Sequence, residues 1–97
     1  MNLSQTTRVG TPFYLAPEIW LNGNYSDKSD IWALGVILYE LTHLAKPFTS
    51  ESIEELEVKV LNEEVKIKEG MDVELKTLIK QILRKDPVKR PSINQIL

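Results

Sequence analysis

Three hydroxyls crowd the start of the sequence, Ser4, Thr6 and Thr7, within "MNLSQTTRVG". Side chains of this type accept a phosphoryl group, and a phosphate placed there acts by pairing with basic groups. Any exposed threonine shares that property, so the cluster alone assigns nothing. Glu18 follows Pro17 directly and falls in the first turn of a short helix, where an acid is favoured by the helix dipole. Asp30 stands in the same relation to the helix that follows. The single histidine, His43, has no cysteine or acidic partners that would make a metal site or a nucleophile triad, and it reads as a structural residue near a helix C-terminus. With no cysteine in the chain there is no disulfide and no thiolate metal site, which fits a reducing compartment.

The elements that must position these groups begin with "VGTPFYLAPEIW", residues 9–20. Pro12 and Pro17 fix φ and push their predecessors out of the helical region, so residues 10–16 are expected to form an extended, stiff loop of prescribed shape. Pro17 opens a short helix over residues 18–21, and "NGNYSDKS" is a turn. Residues 29–44, "SDIWALGVILYELTHL", are apolar on nearly every face, the pattern of a helix in the middle of something. Lys46, Pro47 and Phe48 break it. "SIEE" at residues 52–55 is a capping box opening a surface helix with Ile53, Leu56, Val60 and Leu61 apolar. "VKIKEG" alternates briefly, and Asp72 caps an amphipathic helix carrying Leu75, Leu78, Ile79, Ile82 and Leu83 on one stripe, with Arg84 and Lys85 at its C-terminus. Pro91 and the box "SINQ" start a last helix that the sequence leaves after about one turn, which reads as truncation.

A chain of 97 residues has room for one domain with a modest core. Its net charge of −2 argues against nonspecific attraction to nucleic acid or an anionic membrane. The N-terminal residues are neither a secretory signal nor a transit peptide, and the longest apolar run, residues 31–41, is too short to span a bilayer. A cytoplasmic protein is the default expectation.

Three stretches carry a resemblance. "GTPFYLAPE" resembles the end of the activation segment and the Ala-Pro-Glu motif of eukaryotic protein kinases, "SDIWALGVILYEL" is similar to their central buried helix, and "LRKDPVKRPSINQIL" to the close of their C-terminal lobe. They occur in the family order. The Gly-Thr-Pro wording points to the serine/threonine branch, and the whole stretch resembles NimA-related kinases. The fold implied is mostly α, a partial C-terminal lobe over residues 9–97, with residues 1–8 a flexible remnant of the activation loop.

The resemblance also implies roles. Thr11 would bond toward the catalytic aspartate and lysine, and Phe13, Tyr14 and Leu15 would shape the pocket for the residue after the phosphorylated one. Glu40 resembles a position that receives a basic residue of the substrate. Glu18 would pair with Arg90 in a buried ion pair, Asp30 would hold the catalytic-loop backbone, and Ile37 and Leu41 would anchor the apolar column beneath the adenine site. Asp30 also reads simply as a first-turn acid complementing the helix dipole, and Trp32 and Tyr39 as core. Thr7 occupies the usual activation-phosphorylation position, followed by Thr6 and Ser4.

Phosphoryl transfer needs a glycine-rich loop, a strand lysine, a catalytic-loop aspartate and asparagine, and a metal-binding aspartate. No G-x-G-x-x-G, V-A-I-K, H-R-D or D-F-G occurs in the sequence. The expectation is therefore an inactive piece of a serine/threonine kinase whose parent uses ATP and magnesium, with a protein substrate or the remainder of the kinase domain as partner, and no catalytic, cofactor or metal ligand in these residues. The alternative is a non-catalytic binding module made from the same lobe, offering its substrate-side surface or its charged helix around residues 53–60. Under either reading the flank of the central helix that the rest of the lobe would cover is left as exposed apolar surface.

Overall fold

Residues 12–97 are described by a computed structural model of the chain, and the elements follow from their end residues. A 3-10 turn, Pro12–Tyr14, leads into α1, Pro17–Asn22. Ala16 gives α1 no side-chain cap, and Pro17, with no N–H to satisfy, fills the first helical position. Gly23 ends α1 with φ 74°, the left-handed conformation that costs glycine nothing, and its N–H bonds to the Ile19 carbonyl at 2.9 Å.

The central helix α2 runs over Asp27–His43, two residues earlier than the apolar pattern predicts. Its N-cap is Ser26, paired reciprocally with Ser29: the Ser26 hydroxyl accepts from the helix N-terminus while the Ser26 N–H donates to Ser29 Oγ at 3.2 Å. A serine at the third helical position does the work for which the sequence pattern looks for Glu or Gln. Leu44 closes α2 in the left-handed region, φ 57°. α3 spans Ile53–Asn62, α4 Val73–Ile82 and α5 Ile93–Ile96, with a second 3-10 turn at Pro87–Lys89. Asp72 caps α4, and the Ser92–Gln95 box at α5 is complete. The box expected at Ser52 is half made: Ser52 accepts from the Glu55 N–H, but the Glu55 carboxylate accepts from the Ser50 hydroxyl. No strand occurs among the described residues, and "VKIKEG" is irregular.

Packing centres on α2, which lies against α4, both 3-10 turns lying along it, while α1 packs on α3. Trp32, Val36, Ile79, Ile82, Val60 and Leu56 are buried at its heart. Gly35 sits where α2 and α4 approach most closely; a Cβ there would collide with Ile82 Cγ2 and lie 2.9 Å from Leu83 Cδ2. Burial is one-sided. On the other flank Leu34, Ile37, Leu41 and Leu44 follow helical spacing and are exposed, Ile37 at 46% and Leu41 at 73%. The apolar surface expected on that flank is present among the described residues.

Two residues expected near helix C-termini pack against neighbouring elements. Arg84 and Lys85 fall beyond α4, which ends at Ile82, rather than in its last turn. Lys85 instead folds over the stacked rings of Trp32 and Phe48, its ammonium 5.6 and 4.5 Å from their centres, and donates to the Glu63 carbonyl. Burial pushes its pKa down. His43 stacks on Tyr39 at 3.7 Å between ring centres, and its Nε2 accepts the Lys68 N–H at 3.1 Å while the Tyr39 hydroxyl donates to the Lys66 carbonyl at 2.6 Å. These two side chains pin the segment after α3 to the end of α2.

Candidate functional site

Leu15 and Ala16 are buried, so the short turn before them is held against the core at its base. The Leu15 N–H bonds to the Pro12 carbonyl at 3.2 Å, and the Trp20 indole N–H donates to the Leu15 carbonyl at 3.1 Å. Phe13 and Tyr14 project from this turn, each half-buried against the core. Where the two prolines predict an extended loop, residues 12–14 instead wind into a 3-10 turn, closed by one backbone and one indole hydrogen bond.

An ion pair joins residues 72 positions apart. Arg90 Nη2 meets Glu18 Oε1 at 2.7 Å and Nη1 meets Oε2 at 2.9 Å, a bidentate arrangement. The remaining guanidinium hydrogens go to backbone: Nε to Arg84 O, Nη1 to Lys28 O and Nη2 to Lys85 O. All five donors of arginine are therefore satisfied. The Arg90 side chain is fully buried and lies 5.1 Å from the centre of the Trp32 ring. Ser29 Oγ donates to Glu18 Oε2 at 2.7 Å, which links the clamp to the first turn of α2. Burial raises the Glu18 pKa, but the hydrogen bonds from Arg90 and Ser29 and from its own N–H, with the Arg90 charge, outweigh it and hold the carboxyl below its ordinary value.

Glu40 faces the turn from the last third of α2. Tyr14 donates its hydroxyl to Glu40 Oε1 at 2.6 Å, and Lys46 Nζ lies 3.4 Å from Oε2 and 5.2 Å from the centre of the Phe13 ring. The hydrogen bond to Glu40, with burial and the carboxylate's charge, pushes the Tyr14 phenol up. Asp30 is exposed at the start of α2 and accepts the Tyr25 hydroxyl. It lines a hollow of about 400 Å³ with Lys28, Ile31, Leu34 and Ile93. Ten helical residues separate Asp30 from Glu40, roughly 15 Å along the axis, so the two carboxylates cannot act as a pair.

The structure brings Phe13, Tyr14 and Glu40 into one patch, with Leu15 buried at the base of the turn. Asp30 lies away from that patch at the exposed start of α2, and Ile37 and Leu41 are exposed on the same helix. Trp32 is core, its indole N–H without a partner among the described residues. Thr11, Thr7, Thr6 and Ser4 lie outside the described residues. Lys46 and Ser29 were missed in the sequence: the first carries no motif, and the second is hidden in a cap with serine where glutamate is usual.

The protein kinase domain model matches residues 1–97, the whole chain. The chain belongs to the protein kinase domain family. It is 44% identical to serine/threonine-protein kinase Nek5 of Homo sapiens over 100% of this chain and 14% of that protein. Identity is 41% to putative serine/threonine-protein kinase A of Trypanosoma brucei brucei, covering 94% of this chain and 21% of that one, and 44% to serine/threonine-protein kinase Nek3 of Mus musculus, covering 94% and 18%. The chain thus spans about a fifth or less of these relatives. The likeness to NimA-related kinases read from the motifs holds across nearly the full length, and the helical architecture agrees with a kinase C-terminal lobe.

No three His, Cys, Asp or Glu among the described residues are grouped to hold a metal ion, and no G-x-G-x-x-G occurs in the sequence. No helix among the described residues is long and apolar enough to cross a membrane.

Proposed function

We propose that these residues are the substrate-facing part of a serine/threonine kinase C-terminal lobe, which reads a protein substrate beside the phosphorylated hydroxyl and performs no phosphoryl transfer alone. The observation that carries this is the half-buried turn bearing Phe13 and Tyr14, whose Tyr14 hydroxyl donates to the Glu40 carboxylate at 2.6 Å and which runs directly into the helix anchored by the buried Glu18–Arg90 pair. Aromatic faces and one carboxylate suit the flank of an extended peptide.

Transfer of the ATP γ-phosphate to Ser or Thr belongs, in this proposal, to a parent chain that supplies the phosphate loop, the catalytic aspartate and the metal ligands. There Thr11 and Asp30 face the catalytic loop, Thr7 is the activating phosphorylation site with Thr6 secondary, and the setting is cytoplasmic. The exposed stripe of Leu34, Ile37 and Leu41 is the face on which the remainder of that lobe packs.

The test is to incubate the purified 97-residue chain with magnesium, labelled ATP and a short serine peptide, and to titrate the same peptide into the chain. The expected result is saturable peptide binding without label transfer. Magnesium-dependent transfer overturns the inactivity, and absence of binding overturns the substrate-facing role.

A further inference from the structure

We infer that Lys46 is a specificity-determining residue, an internal cation that occupies Glu40 and sets whether the patch selects a basic residue in the peptide. The inference rests on the peptide-facing reading above. Glu40 has two carboxylate oxygens and both are engaged, Oε1 by the Tyr14 hydroxyl at 2.6 Å and Oε2 by Lys46 at 3.4 Å. The Lys46 ammonium also lies 5.2 Å from the centre of the Phe13 ring, so it stands between the carboxylate and the aromatic face. That is where a cationic side chain of a peptide gains most, from charge pairing on one side and the ring's negative face on the other.

The chain arrives there by construction. Leu44 takes a left-handed conformation after α2, which turns the backbone so that Lys46, six residues after Glu40, comes back over it. Lys46 makes one long ion-pair contact and a ring contact, and both it and Glu40 are about one-third exposed, so a peptide can displace it. An arginine holds two parallel hydrogen bonds to a carboxylate where lysine offers a point charge, so displacement is possible but must remove an ion pair first. While Lys46 is in place Glu40 is neutralised, and a neutral peptide residue competes on equal terms.

The experiment uses the full chain and a fluorescent serine peptide in which one flanking position, scanned in turn, is Arg or Gln. For the wild type the Arg and Gln peptides should bind within about twofold of each other, and Lys46→Met should favour Arg by about fivefold, the size of one exposed ion pair. Lys46→Arg should keep the wild-type ratio, and Glu40→Gln added to Lys46→Met should erase the gain. If peptides bind but Lys46→Met leaves the ratio unchanged at every position, the role of Lys46 is overturned and the peptide-facing reading stands. If no peptide binds any variant whose near-UV circular dichroism matches the wild type, both are overturned.

Discussion

Arg90 holds Glu18 through two hydrogen bonds, 2.7 and 2.9 Å long, across 72 residues of sequence. One partner sits in the first turn of α1, directly after the surface turn, and the other between the second 3-10 turn and α5. The pair therefore ties the two ends of the described chain together. Removing Arg90 alone leaves a buried carboxylate with Ser29 as its remaining side-chain donor and opens three backbone carbonyls. Arg90→Met should cost about 3–5 kcal/mol in thermal or urea unfolding. Glu18→Gln with Arg90→Met should cost less than the sum of the two single changes, because neither then leaves a lone charge.

The same pair makes stability depend on pH. The Glu18 carboxyl titrates below its ordinary value of 4.5 when folded, so between the folded and unfolded values the unfolded chain binds more protons. Stability from this group is complete above the unfolded value and is lost as pH falls through the folded one. The unfolding midpoint of the wild type should drop more steeply than that of Glu18→Gln below pH 4.5; parallel curves would contradict the assignment.

Gly35 should resist any side chain. An alanine there gains helix propensity but drives a methyl group into Ile82 and Leu83 of the facing helix end. Overpacking outweighs propensity, and Gly35→Ala should destabilise by about 1–2 kcal/mol in equilibrium unfolding.

The exposed flank of α2 should behave in the opposite way. Replacing Ile37 and Leu41 by Gln removes apolar surface that is already in water. Each change should shift stability by no more than about 0.5 kcal/mol. Dye binding and self-association, followed by fluorescence and sedimentation, should both fall. A large loss of stability would mean that these side chains belong to the core.

Much of this was legible in the residues. Asp72 and the Ser92–Gln95 box marked their helices, and the resemblance to protein kinases implied the Glu18–Arg90 pair. What escaped depends on where the chain returns in space. Lys85 looks like a helix-terminal cation, yet it covers the Trp32 and Phe48 rings because α4 stops three residues earlier. The alternation in "VKIKEG" suggested an extended segment, but no neighbouring strand exists among the described residues and Tyr39 and His43 hold it instead. Lys46 reaches Glu40 only because Leu44 takes a left-handed backbone, which no local pattern around it announces.

Whether the patch is built by packing inside these 97 residues is read most directly from thermal unfolding followed by near-UV circular dichroism, with two tryptophans and three tyrosines as reporters. Trp32 sits between Arg90 and Phe48, and Tyr39 against His43, so a fixed aromatic signal lost in one cooperative transition is predicted. Helical far-UV signal with no near-UV signal and no cooperative transition would contradict it, and the turn, the clamp and the Glu40 patch would then not be held by this chain alone.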